Sequence, residues 1–384
     1  MSTSTNMARH PLRPAAALLG AALFLAACDK ASETETTDAA PEAEATSGES
    51  AAEPAGASEP VMVEEAFLTV REEADNVDSV ATWHGGDGRH WLIATAKEGN
   101  VLQVFDAATG EPLRRVGEPG EGPGQLSRPN GVAVIDDMAA VVERDNRRVQ
   151  LFALPGFEPL GSFGSEQLRL PYGLWLQRLA DGAYRAYVSD AYETADAGIP
   201  PDAELGERVK QFRFAVDADG VATQHERSFG ATEGAGVLEQ VESLYGDPEH
   251  GRLLIADEHA VDIKVYDFGG RFAGTVIGQT IFDHEPEGIA LYACADGSGY
   301  WLTTDQDEQV NRFHVFRRGD LAYVGSFGGP VTRNTDGVWL TRTAMPDLPQ
   351  GAFYAVHDDG NVAAFDLGQV LSALSLQACG SEED

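Results

Sequence analysis

Asp336-Gly337-Val338, near the end of the chain, is one of six places where a polar residue, a small residue and an apolar strand follow one another. The others are Asp78-Ser79-Val80, Asn130-Gly131-Val132, Tyr172-Gly173-Leu174, Glu242-Ser243-Leu244 and Glu287-Gly288-Ile289. Most intervals lie near the ~40–50 residues that a four-stranded propeller blade occupies. The third is longer, and Ala191 to Arg208 reads as a loop inserted within that blade. Between anchors the chain alternates short apolar runs with turn residues. Trp91 to Ala96 reads as a strand, Lys97 to Asn100 as a turn, Val101 to Phe105 as the next strand, and Asp106 to Gly110 as another turn. Gly and Asn accept the positive φ that such hairpins need. Several units close on similar outer strands: Gly161-Ser162-Phe163-Gly164, Arg227-Ser228-Phe229-Gly230 and Gly325-Ser326-Phe327-Gly328. Six anchors predict an all-β, six-bladed β-propeller over residues 61–378. A strand around Glu65 to Val70 would complete the last blade and hide its edges. A helical period is expected only over Gln369 to Gln377.

Ahead of the repeats, Arg9, His10 and Arg13 precede an apolar run from Ala15 to Ala27 that is too short to span a bilayer. The run ends in Leu25-Ala26-Ala27-Cys28, which resembles the lipobox of bacterial lipoproteins. That resemblance implies a signal peptide over residues 1–27, a lipidated Cys28 and a place in the cell envelope, anchored to the inner or outer membrane by lipid. Residues 28–60 are rich in Ala, Glu, Thr, Ser and Pro, cannot bury enough surface to fold, and read as a disordered acidic linker. Residues 379–384 read as an acidic tail, and the chain as a monomer. A formal charge of −35 argues against nucleic acid as a partner. An anionic substrate would need local compensation by metal ions or a basic cluster. Cys294 and Cys379 lie in no CxxC or Cys/His spacing, which leaves zinc and thiol chemistry unsupported. Export permits a disulfide between them, but the sequence does not show that they meet.

In a propeller the innermost strands begin at the mouth of the central channel. Asp78, Asn130, Tyr172, Glu242, Glu287 and Asp336 are therefore candidates to converge there, and four of these six are carboxylates. Grouped acidic oxygens repel one another unless hard cations lie between them, and Ca²⁺ tolerates irregular oxygen shells.

Asp78 to Trp83 followed by Leu92 to Lys97 is similar to the opening blade of the β-propeller phytases. Tyr172-Gly173, Glu242, Ile255-Ala256-Asp257-Glu258, Glu285-Pro286-Glu287-Gly288, Gln306 and Thr335-Asp336-Gly337 match further family positions in order. Leu291 to Leu302 is close to the family's fifth blade. The resemblance implies calcium-dependent hydrolysis of phosphomonoesters, with phytate the usual substrate, by attack of metal-bound water. It places Asp78, Glu242, Glu258, Glu285, Glu287, Gln306 and Asp336 around Ca²⁺, with Tyr172 beside them. It assigns Lys97 and Arg144 to the phosphate and counts Glu242, Glu287 and Tyr172 in the catalytic set. The chain departs from the pattern at Ser79 and Glu98, where the family has Asp and Lys. Glu285 replaces an Asp, and the third-blade insertion occupies the place of a Lys-Glu pair. Arg128 to Val134 through Arg147 to Phe152 also resembles an NHL repeat, which implies instead a non-catalytic propeller that binds an envelope partner.

Overall fold

The computed structural model describes residues 59–218 and 220–380. The segment expected to be a signal peptide, Cys28, the expected linker up to residue 58 and residues 381–384 of the expected tail lie outside the described residues. Six sheets follow one another along the chain, five built on a meander of four antiparallel strands and the last on a meander of three. Their innermost strands are Val77–His84, Pro129–Ile135, Pro171–Arg178, Val241–Asp247, Glu285–Ala293 and Val338–Thr341. The six anchors of the sequence thus open the six inner strands, and the fold is a six-bladed β-propeller.

Closure uses two segments from before the first blade. Phe67–Leu68 pairs antiparallel with Asn361–Asp366 and becomes the outer strand of blade six, as the sequence predicts. Val61–Met62 also pairs, parallel to Tyr323–Gly328, and gives blade five a fifth strand that the sequence did not suggest. A two-residue strand carries too little pattern to be read from alternation.

The glycine found at four of the six anchors has a steric cause. A side-chain carbon built on Gly131 would lie 2.7 Å from the carbonyl oxygen of Tyr172. One on Gly173 would lie 2.8 Å from that of Glu242, and one on Gly337 2.7 Å from that of Asp78. Each of these anchors therefore presses its backbone against the anchor of the next blade. Hydroxyls on second strands also tie neighbouring blades. Thr95 Oγ1 donates to the Asn130 carbonyl at 2.6 Å, and Ser189 Oγ to the Glu242 carbonyl at 2.7 Å. Buried acids at the ends of second strands take the N–H groups of the chain entering the inner strand. Asp190 accepts from Leu170 at 2.7 Å, Asp257 from Glu239 at 2.7 Å and Asp305 from His284 at 2.8 Å. Farther out, aromatic rings fill the gaps between sheets. Phe313 and Phe327 of blade five meet Phe353 and Phe365 of blade six at centroid separations between 4.9 and 5.8 Å.

The insertion lies where the sequence places it, between Tyr184–Asp190 and Val209–Asp217 of blade three. The helix is displaced from its expected span and covers Leu367–Ala373. Asp366 caps it by accepting from the Gly368 N–H at 2.8 Å, which starts it early. Ser375, at φ +54°, takes the left-handed conformation that ends it. Beyond the helix, Cys379 forms a disulfide with Cys294 of blade five.

Candidate active site at the channel mouth

Strand register builds the site as two rings. On the inner strands Val80, Val132, Leu174, Leu244, Ile289 and Val338 pair with Ala94, Val141, Val188, Ile255, Thr303 and Ala355. Two residues before each inner-strand member stands its anchor, and these anchors form the first ring. Three residues beyond each partner stand Lys97, Arg144, Ala191, Glu258, Gln306 and Asp358, which form the second. Every residue that the sequence singles out for the site belongs to one ring or the other, except Glu285, which opens the inner strand of blade five.

On the side of blades six and one, charge is balanced within the protein. Lys97 Nζ lies 2.8 Å from Asp78 Oδ1 and 3.1 Å from Asp336 Oδ2. The Tyr172 hydroxyl donates to Asp78 Oδ1 at 3.0 Å, and Gln306 Nε2 donates to Asp336 Oδ1 at 2.6 Å. Burial opposes the Lys97 charge, but the fields of Asp78 and Asp336 outweigh it and raise its pKa. One ammonium shared by two carboxylates does not hold both fully ionised. Burial still pushes Asp336 up to about 7.

On the side of blades four and five, Glu242, Glu258, Glu285 and Glu287 form no ion pair with a Lys, Arg or His among the described residues. Glu258, Glu285 and Glu287 bring one oxygen each within 4.8 Å of one another. Burial, then the fields of Glu287 and Glu258, drive the Glu242 pKa well above the carboxylate range. Burial and the field of Asp336 do the same to Glu287. Glu258 is raised by burial and by Glu285, against hydrogen bonds from Glu242 and Gln240. One oxygen of Glu242, Oε2, is buried with no hydrogen-bond partner among the described residues. A buried, unpartnered carboxylate oxygen is costly and needs either a proton or a cation.

Arg144 stands at the outer edge. Its Nε donates to Asp145 at 2.9 Å, and it lines a pocket with Tyr172 and Glu242. Ring register also exposes residues that sequence reasoning left out of the site. Asp359, in the turn that matches Lys97 to Asn100, has its pKa raised by burial against the attraction of Lys97. Asn130, an anchor that the sequence already brings to the mouth, is 1% exposed, and neither polar atom of its side chain has a partner among the described residues. Arg208 and Gln240 line the Arg144 pocket. Counting from each anchor to the turn after the second strand would have found Asp359. No sequence signal marks Gln240, which precedes the inner strand of blade four and donates to Glu258, or Arg208, which ends the insertion.

The family model described as Phytase matches residues 230–369. Blades four to six of this chain are phytase-like. The phytase-like region carries Glu242, Glu258, Glu285, Glu287, Gln306 and Asp336, the acidic side of the mouth together with one acid of the balanced side. Among solved structures, Kuenenia stuttgartiensis Hydrazine Synthase aligns at TM-score 0.44 with 14% identity, over 80% of this chain and 82% of that one. A likeness at that level says nothing about chemistry.

The residues present fit the calcium that the family implies. Two oxygens on one Ca²⁺, each about 2.3–2.6 Å from the ion, are at most about 5 Å apart. The Glu258–Glu285–Glu287 oxygens meet that limit. The donor set is hard oxygen throughout: carboxylates, the Gln306 amide and the unpartnered Oε2 of Glu242.

Proposed function

We propose that the channel mouth is the site of a calcium-dependent phosphomonoester hydrolase acting on phytate or a related phosphoester. The observation that carries this reading is the crowding of Glu242, Glu258, Glu285 and Glu287, with burial raising Glu242 and Glu287, inside a region that matches the phytase family. Such a group favours a bound divalent cation over bare carboxylates. Glu242, Glu258, Glu285, Glu287 and Gln306 would hold Ca²⁺, with Asp78 and Asp336 at the edge of the same shell. Bound there, Ca²⁺ would supply charge neutralisation for the phosphoryl oxygens and a lowered pKa for water.

The remaining steps belong to side chains. Arg144 grips phosphoryl oxygens through its planar fork, and Lys97 offers a point charge beyond its two carboxylate partners. Burial, then the field of Asp78, raises the Tyr172 pKa, so its hydroxyl keeps its proton and stays a donor. Glu242 and Glu287 are placed to accept a proton from the attacking water. The water oxygen bonds to phosphorus, the bond from phosphorus to the ester oxygen breaks, and the alcohol leaves with the proton that the water gave up.

The same reading places the protein in the cell envelope, exported and anchored through a lipid on Cys28, as a monomer. The Cys294–Cys379 disulfide supports export, because such bonds persist in oxidising compartments. Phosphate release from phytate and from an aryl phosphate, with and without Ca²⁺, tests the activity. Release that requires Ca²⁺ and is lost in Glu242→Gln and Glu287→Gln is the expected result. No release from the calcium-loaded protein would leave the NHL-like binding propeller as the better description.

A further inference from the structure

Blade three breaks the rule of the other blades. Where residues 97–100, 144–147 and 258–261 turn tightly at the channel mouth, residues 191–208 run outward and return. The excursion is fastened at its root. The Tyr192 ring lies between the guanidinium groups of Arg169 and Arg208, at 4.1 and 4.5 Å. Arg208 is 1% exposed and donates to the carbonyls of Tyr192 at 2.6 Å and Leu238 at 3.2 Å. The Tyr192 hydroxyl donates to the Glu204 carbonyl at 2.6 Å, and the Thr194 N–H closes the tip on the Gly198 carbonyl at 2.8 Å. A loop held by a buried guanidinium and its own hydrogen bonds is a fixed wall.

That wall narrows one side of the site. With Glu193, Gly198 and Ile199 it closes a pocket of about 150 Å³ whose far side is Arg144, Tyr172 and Glu242. At the acidic cluster itself lies a cleft of about 710 Å³, lined by Glu258, Asp283, Glu285, Asp307 and Glu308 and also by His259 and His284, with no Lys or Arg among its lining residues. Small-molecule pockets commonly measure about 300–1,000 Å³. The Arg144 pocket is below that range and admits one phosphoryl group. A second phosphoryl would have to lie in the acidic cleft. There, even with cations on the Glu258–Glu285–Glu287 group, Glu308 has no Lys, Arg or His ion-pair partner among the described residues, and Asp307 has only His284, 3.6 Å away.

We propose that the third-blade wall selects compact esters carrying one phosphoryl group on an uncharged or cationic alcohol, over rings that carry several phosphates. The inference rests on the phosphomonoesterase reading and narrows its substrate class. The acidic cleft then receives the alcohol, and its charge draws a cationic group as strongly as it repels a phosphate.

The test compares kcat/KM for choline phosphate and phytate, with Ca²⁺, in three forms of the full chain. These are the native protein, a variant with residues 193–198 replaced by Gly-Gly, and Glu193→Lys. The native protein is expected to favour choline phosphate at least about tenfold, and either variant to move the ratio toward phytate by about tenfold. Glu193→Lys, at an exposed position, reports even where the shortened loop fails to fold. A native preference for phytate overturns the proposal, as does an unchanged ratio in the variants. If neither ester is hydrolysed, the phosphatase reading falls, and calorimetric binding of the same two compounds with Ca²⁺ decides selectivity alone. Tighter binding of choline phosphate supports the wall, while tighter binding of phytate, or binding of neither, overturns it.

Discussion

The two sides of the channel mouth each hold two acidic anchors and treat them differently. Between blades six and one, Lys97 sits within 3.1 Å of both Asp78 and Asp336, and the protein supplies its own counter-charge. Between blades four and five, Glu242, Glu258, Glu285 and Glu287 face one another with no such cation, and burial raises the pKa of Glu242 and Glu287. One side is a structural ion cluster that also borders a site. The other is incomplete as protein alone. A count of acidic anchors does not separate them, because the difference is made by one residue in the second ring.

The largest effect should come from breaking the balanced side. Lys97→Met leaves two buried carboxylates without their cation, and a loss of about 3–5 kcal/mol in urea unfolding is expected. A loss below about 1 kcal/mol would show that the two sides differ less than their geometry says. Next comes the incomplete side. Calcium at a hundred times its dissociation constant should stabilise the native protein by about 2.7 kcal/mol. That gain should nearly vanish in Glu287→Gln, which removes a ligand and relieves repulsion in the calcium-free state. An equal gain in both proteins would place the cation elsewhere.

The pH dependence should probe both sides at once. An acid whose folded pKa is raised costs stability as pH rises from its unfolded value through its folded one, because the folded state holds the proton more tightly. Calcium-free protein should therefore lose stability from about pH 4 upward, with Asp336 contributing up to about pH 7. Calcium should flatten that slope, and Asp336→Asn should remove its share. Stability that rose over the same window in calcium-free protein would contradict the raised pKa values. A smaller change belongs to Gly173→Ala. Its new carbon would meet the Glu242 carbonyl at 2.8 Å, so blades three and four must part slightly, at a cost of about 1–3 kcal/mol. Calcium affinity should weaken with it, since the Glu242 anchor moves; unchanged affinity would mean that anchor spacing does not tune the site. The smallest effect is expected at the rim. Arg144→Gln should change stability by less than about 1 kcal/mol, because its pair with Asp145 is partly exposed, while phosphate affinity falls.

Much of this was legible in the sequence for physical reasons. The polar-small-apolar anchors recur because a carbonyl from the next blade leaves no room for a side chain at Gly131, Gly173, Gly288 and Gly337, while Ser79 and Ser243 stand at the other two. The outer strand at Phe67–Leu68 and the insertion at 191–208 follow from the same count. The parallel strand at Val61–Met62 was hidden, being too short to alternate. The early start of the helix depends on the Asp366 cap, which the apolar period alone does not weigh. Within the site, the anchors told which residues converge, but not which are neutralised. Lys97 read as a phosphate-binding residue, and the structure shows it also engaged by Asp78 and Asp336. That double engagement depends on strand register between blades distant in sequence. Asn130 was read as an anchor, yet only burial reveals that its amide has no partner among the described residues.

The ring is fastened by its beginning. Val61 meets Phe327 and Phe67 meets Ala364, so the first strands of the propeller wait for nearly the last. A chain emerging from its N-terminus can fold the first four blades on local hairpins, each contact short in sequence. It cannot close until blades five and six exist, and the loop-closure entropy of almost the whole domain falls on that final step. Until then the edges of the fifth and sixth sheets stand open, and the interval before closure is when this protein is most exposed to proteases and to its own neighbours.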